Sequence, residues 1–185
     1  MPNNRILNLV DEDDNIVGEA TREEIHSKGL LHREIHVWLY NRNGKVLFQK
    51  RAKDKDTFPG LLDASVGGHV EQGESYEETA VKEAGEETGL EIKPEDLKLI
   101  TTIRNEAHDR VTGRINNVIR RIYAYEFNGP TSELKVENGK ATGFEAVKIS
   151  SLFTMPDEEK RRFIPAIFEE KNLDVFRKIE LLVTT

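Results

Sequence analysis

The chain contains no cysteine. That absence excludes disulfides, thiolate zinc sites, iron–sulfur ligation and a thiol nucleophile together. It suits a reducing cytoplasm, which is the expected location. A basic surplus is also lacking: 27 Lys and Arg stand against 34 Asp and Glu, a formal charge of −7. Wrapping nucleic acid needs a net basic face, so no nucleic-acid partner is expected. Long apolar runs are missing, and Met1-Pro2-Asn3-Asn4-Arg5 is followed only by short ones. Neither a signal peptide nor a membrane span is therefore expected. No repeat, low-complexity tract or Pro/Gly/Ser linker divides the 185 residues, which predicts a single domain over 1–185. A hydrophobic content of 37% still suffices for one core.

What is present is an interleaving of strand and helix signals. Ile6–Val10 and Ile16–Ala20 read as a hairpin around the acidic turn 11–15. Thr21 is placed to cap a short helix through Lys28, with Glu24 in the capping-box position and Gly29 at the end. Glu34–Tyr40 and Lys45–Lys50 read as strands around the turn Asn41–Gly44. Asp54–Gly60 is a loop closed by Phe58-Pro59-Gly60, a turn and packing element, and Leu61–Val66 a strand broken by Gly67-Gly68. Ser75–Thr88 predicts a helix ended by Gly89. Asp96–Ile103 and Val118–Phe127 read as strands, with 105–117 between them as a loop and substrate lid. Gly143–Ile149 is a last strand, and Pro156–Leu182 a helical segment in two pieces around Asn172. The class is α/β or α+β with a mixed sheet, flanked by an N-terminal β-hairpin and a C-terminal helical extension.

The helix over 75–88 carries the chemistry. Glu83, Glu86 and Glu87 stand at i, i+3 and i+4, within an arc of roughly 100°. Like charges at this spacing cost about 0.2–0.5 kcal/mol per pair, and Lys82 is the only basic residue of the segment. A hard divalent cation turns that repulsion into attraction, because Mg²⁺ and Mn²⁺ prefer oxygen ligands and sit between carboxylates and substrate phosphates. The glutamates by themselves are also compatible with a solvated acidic face.

The residues around them favour the metal reading through a resemblance. Gly68, Glu74, Glu83, Ala84, Glu86, Glu87, Gly89 and Leu90 stand in the register of the Nudix box, and the segment 68–90 resembles it. Lys82 stands where that family usually has Arg, keeping the charge of a structural ion pair without the planar fork. A wider stretch, His32 to Glu74, is similar to the branch that holds type 1 isopentenyl-diphosphate isomerase and its hydrolase relatives. The carrying residues include Leu31-His32-Arg33, Lys50-Arg51-Ala52, Phe58-Pro59-Gly60, Ser65-Val66-Gly67-Gly68-His69 and Gly73-Glu74-Ser75.

The resemblance implies a Nudix fold, a mixed β-sheet sandwiched between helices. It implies metal-dependent hydrolysis of a diphosphate linkage in a nucleoside diphosphate derivative, with Mg²⁺ or Mn²⁺. Glu86 and Glu87 would be the main metal ligands, Glu83 would complete the shell or orient the attacking water, and Gly67 would offer its carbonyl. Glu74 would brace the loop onto the helix. Arg51 and Lys55 match positions that hold the diphosphate. Glu106 and Glu145 are candidates for an additional base. Isomerisation is the alternative, but it needs a Cys where Gly67 stands and a Glu pair where Asn116 and Val118 stand. A nucleotide-diphosphate sensor is a further alternative, though such proteins usually lose the box glutamates kept here. His32 and His69 match two histidines of the isomerase's second metal site, while its third position falls on Ile25, beside His26. Two matched imidazoles fall short of about four zinc ligands, so His32 and His69 are expected to hydrogen-bond substrate or backbone. The expected partner is a small-molecule diphosphate, and homodimer formation is left open.

Overall fold

The computed structural model describes residues 5–184. The segment Met1–Asn4, read above for a leader, lies outside them. In chain order the elements are β1 (Ile6–Val10), β2 (Ile16–Thr21), α1 (Arg22–Lys28), β3 (His32–Asn41), β4 (Lys45–Arg51), β5 (Leu62–Asp63), β6 (Val66–His69) and α2 (Tyr76–Thr88). There follow β7 (Lys98–His108), β8 (Ile115–Glu126), β9 (Ala141–Lys148), α3 (Ile149–Leu152), α4 (Asp157–Lys160) and α5 (Glu170–Val183).

β3 is the centre of the sheet. It pairs antiparallel with β1, β4 and β6, and parallel with β8 from His32↔Val118 to Tyr40↔Glu126. β4 pairs with β9 along one edge, and its other edge is shared by β3 at the hairpin end and by the short β5 at Gln49 and Lys50. The sheet is therefore mixed. Successive side chains of a strand point to opposite faces, and β3 is apolar on both. Ile35 and Val37 pack with Tyr76, Ala80 and Ala84 of α2. Trp38 and Tyr40 face the other way, onto Phe48, Phe163 and Phe176. There Trp38 meets Phe176 edge-on at 4.9 Å and Phe48 meets Phe163 at 5.0 Å, a geometry worth about 0.5–1.5 kcal/mol per pair beyond area burial. The sheet thus lies between α2 and α5.

Local chemistry sets the ends of the helices. Ser75 accepts from the Glu78 amide at 3.2 Å and the Glu78 carboxylate accepts from the Ser75 amide at 2.8 Å, a closed capping box. Gly89, at φ 71°, ends α2 in a left-handed cap. Thr21 caps α1 by accepting from the Glu24 amide at 3.2 Å.

Several expectations are corrected. Residues 105–117 are not a lid: β7 and β8 run on through Asn105↔Val118, Glu106↔Asn117 and His108↔Ile115, leaving only a turn at 109–114. A two-stranded ribbon standing in solvent satisfies its backbone by pairing while its side chains remain polar, so polarity hid it. Gly67 and Gly68 do not break a strand; they lie inside β6, paired with His36 and Ile35. The break falls instead at Ala64-Ser65. Asn172 does not divide the C-terminal helix. It sits in the first turn of α5 and donates to the Ala166 carbonyl at 2.6 Å, tying α5 to the preceding 3₁₀ turn Pro165–Phe168. Phe58 is 48% exposed rather than packed, at φ 48°. No helix among the described residues is long and apolar enough to cross a membrane.

Candidate active site

Glu83 and Glu87, one turn apart on α2, point inward and are 4% and 1% exposed. They can do so because β6 presents glycine to them. A Cβ on Gly68 would lie 2.5 Å from Cγ of Glu83. The two carboxylates, with Gly67 and Gly68, line a cleft of about 380 Å³.

Three side chains gather on Glu87 and its neighbours. Gln49 of β4 donates to Glu87 Oε2 at 2.7 Å. Lys140, at the start of the run into β9, sets its ammonium against Glu87 Oε1, 3.6 Å from Glu83 Oε2 and 3.4 Å from the Gly67 carbonyl. Glu137 lies 3.6 Å from the same nitrogen. Burial pushes Glu87 up to about 7, and the Lys140 contact offsets this only in part. Burial likewise raises Glu83, with Glu86 adding to the rise. Burial works against the charge of Lys140, but Glu87 and Glu83 outweigh it and hold its pKa above the usual lysine value.

Glu86 is exposed and does not line the cleft with the other two. Lys82 meets Glu74 at 2.5 Å, and Glu74 also accepts from Thr79 at 2.7 Å. Helix and preceding loop are thereby clamped, the arrangement the box pattern implies for this pair.

The facing wall is cationic. Arg51 and Lys55 both line the cleft. Arg51 is no free strand-end cation: it donates to the Thr57 carbonyl at 2.8 and 3.1 Å and to Asp63 at 2.8 Å. Lys55 makes no ion pair among the described residues. Arg5 and Arg22 reach the cleft from the N-terminal region, and Nε of Arg22 is buried without a partner. Below, Glu34 and Arg120 form a buried ion pair at 2.5 Å, and the Arg120 charge holds Glu34 far below the usual carboxylate range against the penalty of burial.

His69 lines the cleft, whereas His32 is fully buried behind it. The third member of the cluster is His26, not Ile25, which is fully buried in the core. Ligand nitrogens of His26, His32 and His69 lie within 4.8 Å of one another. His26 and His32 direct Nδ1 to the carbonyls of Arg22 and Leu30 at 2.7 and 2.9 Å. That assigns the proton to Nδ1 and turns both Nε2 atoms inward. Burial lowers all three pKa values, so the rings are neutral near pH 7.

Glu106 and Glu145 fall outside the cleft. Glu106 sits on the exposed hairpin, 2.9 Å from His108. Glu145 pairs across the sheet with Phe48, so it shares the α5-side face and meets Arg162 at 2.6 Å, while Gln49 and Glu87 are on the other face. Sequence reasoning missed Gln49, Lys140, Glu137, Arg5 and Arg22. The dipeptide Asn138-Gly139, a turn signal absent from that reasoning, stands directly before Lys140.

The model of the NUDIX domain matches residues 30–167. A Nudix hydrolase of Clostridium acetobutylicum is 32% identical over 167 residues, covering 89% of this chain and 78% of that protein. A Nudix hydrolase of Streptomyces coelicolor is 43% identical over 89 residues, and YfcD of Escherichia coli K12 37% identical over 84. In these two the match spans 49% and 47% of the relative and 48% and 45% of this chain, about half of each. Among solved structures, DR0079 of Deinococcus radiodurans shares the fold with a TM-score of 0.69 at 22% identity, covering 94% of this chain and 98% of its own. The chain belongs to the Nudix family. Its class is that of the Nudix pyrophosphohydrolases, which cleave phosphoanhydride linkages.

Proposed function

We propose that the chain hydrolyses a diphosphate linkage in a nucleoside diphosphate derivative, with Mg²⁺ or Mn²⁺ held on α2. The observation that carries this reading is the cation already seated there, the Lys140 ammonium among oxygens of Glu83, Glu87 and Gly67. Hard carboxylate and carbonyl oxygens gathered around one positive charge are the donor set these metals take. Glu83, Glu87 and the Gly67 carbonyl would hold the ion, and Glu86 would add its carboxylate from the exposed rim. When bound, such an ion neutralises charge developing on phosphate oxygens and lowers the pKa of water.

The chain's own groups do the rest. Gln49 fixes the rotation of the Glu87 carboxylate through its 2.7 Å hydrogen bond. Arg51 and Lys55 bind phosphate oxygens from the facing wall, and His69, a neutral ring on the cleft, hydrogen-bonds the substrate. His32 acts behind His69, by packing on it with ring centroids 5.2 Å apart. Glu106 and Glu145 are given no role as a base. The nucleoside part draws on fold neighbours: the Nudix domain of Shewanella oneidensis NrtR was solved with ADP ribose (TM-score 0.56, 15% identity), and another neighbour is a C. elegans Ap4A hydrolase (TM-score 0.53, 13% identity). The reading takes 1–185 as one working unit.

A panel of nucleoside diphosphate derivatives with Mg²⁺ or Mn²⁺, with products identified, tests it. Turnover should require the metal and yield a phosphomonoester from a diphosphate. A full panel without metal-dependent turnover sinks the reading.

A further inference from the structure

We propose that Lys140 is an internal counter-ion that occupies the cation position on Glu83 and Glu87 and is displaced when a divalent cation binds. The inference rests on the metal reading above and adds a residue outside the Nudix box to it.

The backbone of Lys140 is pinned. Its amide donates to the Glu137 carbonyl at 3.0 Å, and its carbonyl accepts from the Ala52 amide at 3.0 Å. Only the four-carbon stem is free to move, and 29% of the side chain remains exposed, so a way out exists. The ammonium touches Glu87 and lies 3.4 Å from the Gly67 carbonyl and 3.6 Å from Glu83. A small divalent ion needs the same oxygens at about 2.1 Å, so the two cations exclude each other. Two buried carboxylates without a counter-charge are costly, and Lys140 relieves that cost. A lysine suits the exchange better than an arginine, because its compact charge is readily rehydrated and has no planar fork to lock it in place. Glu137, 45% exposed and 3.6 Å from the nitrogen, offers the displaced ammonium a second partner at the rim. Metal affinity is then reduced by the fraction of molecules in which Lys140 holds the site.

Mn²⁺ titration, followed by the resonance of the free ion, compares wild type with Lys140→Met and Lys140→Arg. Lys140→Met should bind Mn²⁺ at least ~10-fold more tightly. It should melt lower than wild type in chelator and gain more melting temperature from Mn²⁺. Lys140→Arg, which keeps the charge, should stay weak. Equal or weaker binding by Lys140→Met overturns the exchange, while metal binding abolished by Glu87→Gln leaves the metal site standing. Binding unaffected by Glu87→Gln overturns both. Should Lys140→Met fail to fold, acetylation of Lys140 in wild type, read by mass spectrometry, decides. It should be slow in chelator and faster with Mg²⁺; an unchanged rate overturns the proposal.

Discussion

Gly68 and Glu83 meet so closely that a single methyl group on the glycine would lie 2.5 Å from Cγ of the glutamate. Gly68 is an ordinary paired strand residue opposite Ile35. The glycine is therefore required by space and not by its dihedrals. Gly68→Ala should push Glu83 out of its inward position. Overpacking of this kind costs about 1–3 kcal/mol, which for a domain of this size lowers the melting temperature by roughly 2–4 °C per kcal/mol. Turnover should fall with it. Gly18→Ala, whose added carbon would meet Leu9 at an ordinary 3.7 Å, is the control and should alter neither. An unaltered melt for Gly68→Ala would contradict the close contact.

The carboxylates can be separated from the fold. Glu87→Gln keeps the shape of the side chain and removes a buried charge, so folding should survive. Metal-dependent turnover should drop at least about 10²-fold, roughly 2.7 kcal/mol or more of transition-state stabilisation. Glu83→Gln should behave alike. Glu86 is exposed, and Glu86→Gln should leave the melting temperature untouched while turnover drops. Diphosphate hydrolysis at the wild-type rate in all three variants would remove the metal assignment from α2.

α2 is legible in the sequence because its signals are local. Ser75 and Glu78 cap it, Gly89 stops it, and three glutamates repeat at helical spacing. The turn Asn41–Gly44 likewise sets β3 against β4. Lys140 is not legible, because it reaches Glu87 across 53 positions of sequence. Glu145 is misplaced for a related reason. Which face of β9 a residue takes depends on its register with β4, and Glu145 falls opposite Phe48, on the face that packs toward α5. Nothing in the local sequence records the register between two strands so far apart in the chain. His26 replaces Ile25 in the histidine cluster because α1 needs Ile25 for its single buried contact with the core.

Acid should weaken the protein through its neutral histidines. Burial, with the Arg120 charge beside it, pushes His36 down to about 4 from an ordinary 6.5. Above that ordinary value neither folded nor unfolded chain holds the proton. Below it the unfolded chain takes up a proton that the folded chain refuses, so stability is lost as pH falls through the window between about 6.5 and 4. Glu87 acts in the opposite sense: raised to about 7, it holds a proton in the folded chain that an unfolded Glu would release above 4.5, and so it gains stability as pH falls. A difference between variants isolates the histidine. Melting temperature should fall more steeply between about pH 6.5 and 4 in wild type than in His36→Gln. Parallel curves would mean that His36 is not held neutral.

Arg51 lines the cleft and also staples a loop, and the two roles give different signatures. Its guanidinium holds the Thr57 carbonyl at 2.8 Å and Asp63 at 2.8 Å while lining the same cleft as Lys55 and the carboxylates. Arg51→Ala should therefore lower the melting temperature by a few degrees, the loss of about 1–3 kcal/mol expected when hydrogen bonds to a charged group disappear. If the same guanidinium also meets substrate phosphate, KM should rise in addition. Arg51→Lys keeps the charge but loses the fork that spans Thr57 and Asp63. It should recover part of the KM effect and little of the stability. Asp63→Asn supplies the complementary case. It weakens the staple while leaving the Arg51 charge free for phosphate, so stability should fall with KM unchanged or lower. A lower melting temperature with KM unchanged in Arg51→Ala, measured on the best substrate of the panel, would leave Arg51 as a loop staple and move phosphate binding to Lys55 and the arginines of the N-terminal region.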